Sequence, residues 1–118
     1  MKLIPILATL ALAGCATPYT VLVPPSPAYC RDVGNVAVPD GTPVTGRIVE
    51  YHLTDGRCVW EGCRWQSGRG CAVLLSGNNY AIYVRDDGTF TEREVFRTRV
   101  EEECHALYEV AEHVEVQE

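Results

Sequence analysis

Apolar and polar residues alternate from Arg47 to Leu53, with Val49, Tyr51 and Leu53 on one face and Ile48, Glu50 and His52 on the other. A period of two predicts a half-buried strand, with His52 at the surface. Asp55-Gly56 then reads as a tight turn into a second strand, Arg57 to Trp60. Cys71 to Leu75 is apolar on both faces and Tyr80 to Val84 nearly so, which predicts two central strands joined through Gly77-Asn78-Asn79 and closed by Asp86-Asp87-Gly88. After Thr91 the spacing changes to three and four, through Phe96, Val100, Cys104, Leu107, Ala111 and Val114. Thr91 with Glu94 three residues later has the pattern of a capping box. One long helix, about Glu92 to Glu115, is expected to lay this apolar stripe on the sheet. The fold class is thus α+β: a small antiparallel sheet of about four strands with one long C-terminal helix packed on it.

The N-terminal end follows a different pattern. Lys2 precedes an apolar run from Leu3 to Ala13, broken by Pro5 and Thr9. This has the layout of a signal peptide and is shorter than the roughly 20 residues needed to span a bilayer. The run ends in Leu12-Ala13-Gly14-Cys15, which resembles the lipobox of bacterial lipoproteins. The resemblance implies alkylation of the Cys15 thiol by diacylglycerol, cleavage after Gly14 and acylation of the new amino group. Several acyl chains, at roughly 0.8 kcal/mol per buried CH₂, anchor a protein durably. Ala16 stands where inner-membrane retention signals carry Asp, which points to the outer membrane.

Three segments follow: a lipoprotein signal peptide (1–14), a lipidated proline-rich tether (15–29) and a single α+β domain with an acidic end (30–118). Pro18, Pro24, Pro25 and Pro27 keep the tether out of a central strand or helix, either as a semi-extended spacer or as an arm packed on the domain. Without residues 1–14 the chain holds nine Arg, no Lys and sixteen acidic residues, so its formal charge is 9 − 16 = −7. Such a chain is not expected to bind nucleic acid or anionic headgroups through bulk electrostatics.

With Cys15 acylated, Cys30, Cys58, Cys63, Cys71 and Cys104 remain as disulfide candidates in an exported domain. Five is an odd number, so at most two bridges are expected, with one thiol left over: Cys104 in the helical stripe, or Cys30 beside the tether. Cys104 itself is either bridged to the sheet or an inert core thiol. The spacing of Cys58, Cys63 and Cys71 does not suit a structural zinc site.

Chemistry concentrates near the C-terminus. Glu101-Glu102-Glu103-Cys104-His105 weakly resembles a degenerate zincin helix, in which two imidazoles one turn apart hold a metal beside a glutamate base. The resemblance implies His105 as a ligand and Glu102 as the base, with Glu101 where the first histidine belongs. On one continuous helix, Glu101, His105, Glu109 and His113 form a ladder at spacing four facing solvent; the bland reading is a set of surface ion pairs. Glu101, His105 and Glu109 are the candidate metal ligands and Glu102 the candidate catalytic residue. Seven Glu between Glu101 and Glu118, opposed to the helix dipole, suggest a frayed end that either solubilises the chain or accepts a basic partner. In WEGCRW, Trp60, Arg64 and Trp65 are candidate partner-binding residues, since aromatic and Arg side chains concentrate at interface centres; they also describe an ordinary Trp-capped core edge.

The expected function is a membrane-anchored, non-enzymatic binding or structural module in the envelope of a bacterium, or one encoded by a phage, with an envelope protein as partner and no cofactor. The alternative is a small zincin-like metallopeptidase, degenerate in its motif, using His105, Glu102 and zinc.

Overall fold

A computed structural model describes Cys15 and residues 23–115. The signal peptide and the lipobox residues before Cys15 lie outside the described residues, as do residues 16–22 of the tether. The elements are α1 (Pro27–Asp32), β1 (Arg47–Thr54), α2 (Gly56–Gly62), β2 (Gly70–Ser76), β3 (Asn79–Arg85) and α3 (Glu92–Tyr108). This is a small α+β domain carrying three disulfides. Among the described residues no helix is long and apolar enough to cross a membrane.

Among the described residues the sheet is mixed, with three strands in the order β1-β3-β2, rather than antiparallel with about four. β2 and β3 form the expected hairpin, while β1 runs parallel to β3. The missing strand is the segment after Asp55. The Asp55 side chain accepts from the Cys58 N–H at 2.9 Å, capping a helix N-terminus where a hairpin turn was expected. The helix fills the crossover that a parallel strand pair requires.

Alternate residues of β3 serve different layers. Ile82 and Val84 join Tyr51 of β1 and Val95 and Ala106 of α3 in one cluster, flanked by Ile48, Leu53, Ala72, Tyr80 and Phe90. On the opposite face, Tyr83 stacks on His52 with ring centroids 4.3 Å apart and lies against Gly62 of α2. His52 is thereby buried, not a surface residue, while Val49, expected on the inner face, is exposed.

The α3 helix begins as expected, with both halves of the Thr91/Glu94 capping box formed. It ends at Tyr108, well short of Glu115, because Glu109 turns left-handed (φ 53, ψ 42). The chain then reverses and runs antiparallel beside residues 35–37, with a bridge between Val36 and His113. The Ala37 N–H donates to the Glu112 carbonyl at 2.8 Å and the Val114 N–H to the Asn35 carbonyl at 3.0 Å. The helix is also covered on two sides. Its second contact is a cluster of Cys30, Val36, Val38, Val100, Cys104, Leu107 and Tyr108. Glu102 and Glu103, read as members of a solvated run, are consequently buried, whereas Phe96 of the expected stripe is 46 % exposed.

The arm before the domain packs at its C-terminal end. Pro27 opens α1, capped by Ser26, and the Tyr108 hydroxyl donates to the Pro25 carbonyl at 2.6 Å.

Candidate functional site

The early end of α3 creates the main polar cluster. Glu101 and His105 are one turn apart on the helix, and the reversal after Glu109 returns His113 to them. His113 Nε2 lies 2.9 Å from Glu101 Oε2 and 3.1 Å from His105 Nε2. The remaining pair, His105 Nε2 and Glu101 Oε2, is 3.9 Å apart. The two imidazoles meet edge to face with centroids 4.8 Å apart. These three residues form a candidate metal-holding group. Of the expected ladder, the Glu101–His105 step lies along the helix, whereas His113 joins them through the folded-back chain.

Glu109, expected as a ligand, leaves the group. Its carboxylate accepts from the Tyr80 hydroxyl at 2.6 Å, and that bond is the main reason its pKa lies below the ordinary carboxylate value. The partner responds in the opposite sense: desolvation first, then the Glu109 carboxylate, push the Tyr80 hydroxyl up to about 12. His113 is the residue the expected ligand set lacked. Its histidine spacing was visible, but its place depends on Glu109 adopting a left-handed conformation, and nothing in a run of good helix formers marks that position.

Glu102 lies beside the cluster. Together with Ala72, Tyr80, His105, Glu109 and His113 it lines an open cleft of about 280 Å³. Burial, and secondarily the neighbouring Glu101 charge, push its carboxyl up to about 8. Glu103 points elsewhere and accepts from the Tyr51 hydroxyl at 2.7 Å, with the Arg99 Nε 3.3 Å from the same hydroxyl. Burial raises Glu103 as well, against the opposing effects of Tyr51 and Arg99.

All six cysteines are paired: Cys15 with Cys58, Cys30 with Cys104, and Cys63 with Cys71. The expectation of two bridges and one leftover thiol took Cys15 as acylated; with Cys15 bridged to Cys58 there are three. Cys104 is bridged, to α1 and not to the sheet, so neither it nor Cys30 is the odd cysteine. The shortest link, Cys63–Cys71 over eight residues, ties the end of α2 to β2.

Trp60, in α2, and Arg64 and Trp65, in the loop after it, lie within three residues of Cys63 in sequence. Trp60 is 41 % and Trp65 65 % exposed, and the two indoles pack edge to face with centroids 6.2 Å apart. Arg64 and Trp65 both have positive φ, 58° and 69°, a conformation that costs a residue with a Cβ about 1–2 kcal/mol. The Trp65 N–H donates to the Trp60 carbonyl at 2.8 Å, helping to hold the strained loop. Below it, Asp55, Arg57, Trp60, Gln66, Arg85 and Asp87 line an open cleft of about 480 Å³. Both indoles of WEGCRW are thus exposed and not sealed into the core. Comparison of the chain with protein-family models, with curated proteins and with solved structures finds no match, so the fold and its two clusters stand on their own geometry.

Proposed function

We propose that the chain is a lipoprotein of the bacterial envelope, held at the periplasmic side of the outer membrane through Cys15 and acting there as a non-enzymatic binding module for another envelope protein. The observation that carries the binding reading is the Trp60/Trp65 pair. Trp65 projects from a loop that holds Arg64 and Trp65 in a costly backbone conformation and is clamped by Cys63–Cys71, and it packs against Trp60 on the last turns of α2. Strain concentrates where a surface must present fixed side chains, and rigid Trp with adjacent Arg is the composition of interface hot spots. The lipobox supplies the address, and the bridges fit an oxidising compartment.

In-cell crosslinking followed by mass spectrometry tests the reading. The lipidated wild type is expected to recover one defined envelope partner, lost in a Trp60→Ala/Trp65→Ala variant of equal abundance. Recovery of the same partner by both proteins, or of no partner by well-expressed lipidated wild type, defeats it.

A second reading is a zincin-like metallopeptidase of reduced motif, favoured by the position of Glu102 on the same cleft as His105 and His113. Zinc-dependent cleavage of a mixed peptide library that disappears in Glu102→Gln would establish it over the first.

A further inference from the structure

We propose that Glu101, His105 and His113 form a binding site for one divalent ion of the zinc type, with a fourth coordination position open to the cleft. The site is independent of the tryptophan surface, and the metallopeptidase reading requires it without being implied by it.

The geometry of the donors is the first argument. Oε2 of Glu101 and the Nε2 atoms of His105 and His113 mark a triangle with sides of 2.9, 3.1 and 3.9 Å. The point equidistant from its corners lies about 2.0 Å from each, and zinc bonds to imidazole nitrogen and carboxylate oxygen are about 2.0–2.2 Å long. An ion there is within bonding length of all three donors, and a tetrahedral arrangement, with donors roughly 3.3 Å apart, takes shifts of about half an ångström or less along each edge. The rings agree with this. Two imidazoles bound through Nε2 at that length, with their nitrogens 3.1 Å apart, place their centroids about 4.8 Å apart. The observed separation is 4.8 Å.

Protonation is the second argument. His105 Nδ1 lies 2.7 Å from the Val110 carbonyl, and a carbonyl oxygen can only accept. The hydrogen of neutral His105 is therefore on Nδ1, leaving the Nε2 lone pair directed at the cluster. A ligating histidine that donates its other nitrogen to a carbonyl is the usual outer-shell arrangement of zinc sites.

Support from the fold is the third. Glu101 and His105 are fixed by the helical repeat. His113 is fixed by the pairing of Val36 with its own backbone, and the neighbouring Cys104 is bonded to Cys30. Two nitrogens and one carboxylate select a borderline ion over calcium or magnesium, which take oxygen ligands. Three protein ligands leave a position for water or a small ligand, the composition of exchangeable zinc sites as opposed to closed structural ones.

The test uses the full purified chain in detergent, freed of metal with EDTA and with any free thiol alkylated. Calorimetric titration with zinc chloride is expected to show one equivalent bound, and His113→Ala and Glu101→Gln each to weaken binding at least tenfold. Glu109→Gln should bind as wild type does, which separates this triad from a helical ladder. Because a variant can fail by misfolding, imidazole resonances of the wild type are followed in parallel by NMR. Zinc should shift those of His105 and His113 and leave His52 in place. Absence of saturable zinc uptake, equal uptake by His113→Ala, or a shift at His52 alone overturns the proposal. Zinc binding without peptide cleavage upholds the site and removes only the enzyme reading.

Discussion

Cys15 and Cys58 are joined by a disulfide across 43 residues of sequence. A sulfur in a disulfide cannot also carry a thioether, so this bond and a diacylglycerol anchor on Cys15 exclude one another. Acylation leaves Cys58, and no other cysteine, without its partner. Lipidated protein alkylated under denaturing, non-reducing conditions is therefore expected to carry one label on Cys58 and two intact bridges, Cys30–Cys104 and Cys63–Cys71. A Cys15→Ser protein should show the same label, whereas unprocessed precursor oxidised in vitro should show none. Peptide mapping of the label checks this, and a label on Cys30 or Cys104 contradicts the connectivity.

Gly46 sits where the chain crosses the end of α3. The N–H groups of Thr45 and Gly46 both donate to the Leu107 carbonyl, at 3.0 and 2.9 Å, satisfying a helix terminus that has no partner further along the chain. A Cβ on Gly46 would fall 1.8 Å from the Ala106 carbonyl oxygen. That atom is backbone and cannot swing aside. Gly46→Ala is expected to lose about 3 kcal/mol or more, at the top of the range for overpacking. Gly41→Ala has open space and only its positive φ to overcome, so it should lose less. Urea denaturation of the two variants checks the order.

The two bridges that do not involve Cys15 close loops of very different length, with separations of 74 and 8 residues. By loop-closure entropy the long one contributes about 4 kcal/mol and the short one about 2–3 kcal/mol. Cys30→Ala/Cys104→Ala should therefore destabilise more than Cys63→Ala/Cys71→Ala. The gap should widen further because Cys30 and Cys104 are wholly buried in the second core cluster, and deleting buried atoms adds a cavity cost. Equal midpoints in denaturant would mean that the entropy term does not control the difference.

The parts of the fold visible in the sequence were those set by local chemistry. The capping box at Thr91, the strand of Tyr80–Val84 and its hairpin with β2 each follow from a few neighbouring residues. The parts that were not visible depend on tertiary choice. Asp55-Gly56 suits both a hairpin turn and a helix cap, and the parallel pairing of β1 with β3 decides between them. Continuation of α3 past Tyr108 follows the apolar spacing, with only the acidic run against it; the alternative is stabilised by the Tyr80 hydroxyl on Glu109 and by pairing with residues 35–37, both distant in sequence. The metal-holding group was half legible for the same reason. Glu101 and His105 share a helical face, whereas His113 arrives by a turn that no residue type announces. Burial of Glu102 and Glu103 was hidden because a helix packed on two sides buries more than its apolar stripe.

That burial has a consequence for stability against pH. Glu102 titrates at about 8 in the folded chain, against an ordinary value of 4.5. Between those values the folded state holds a proton that the unfolded state has released. Stability rises with pH only where the unfolded state binds more protons, so here the sign is reversed. The stabilising effect of the neutral carboxyl is fully present below about pH 4.5 and is lost as pH climbs through 8. At 1.36 kcal/mol per unit the loss is about 5 kcal/mol at most, less whatever relaxation and water entry recover. Glu103, raised in the same direction, adds to the slope, so the wild type must be compared with Glu102→Gln and not read alone. In EDTA, to keep Glu101 and the histidines free of metal, Glu102→Gln should be more stable than wild type at pH 8, and the difference should shrink toward pH 4.5. Guanidinium denaturation at half-unit intervals of pH measures it. A variant no more stable at pH 8 than at pH 4.5, relative to wild type, would show that Glu102 reaches solvent in the folded state, and the cleft beside His105 would then be wetter and wider than its lining residues suggest.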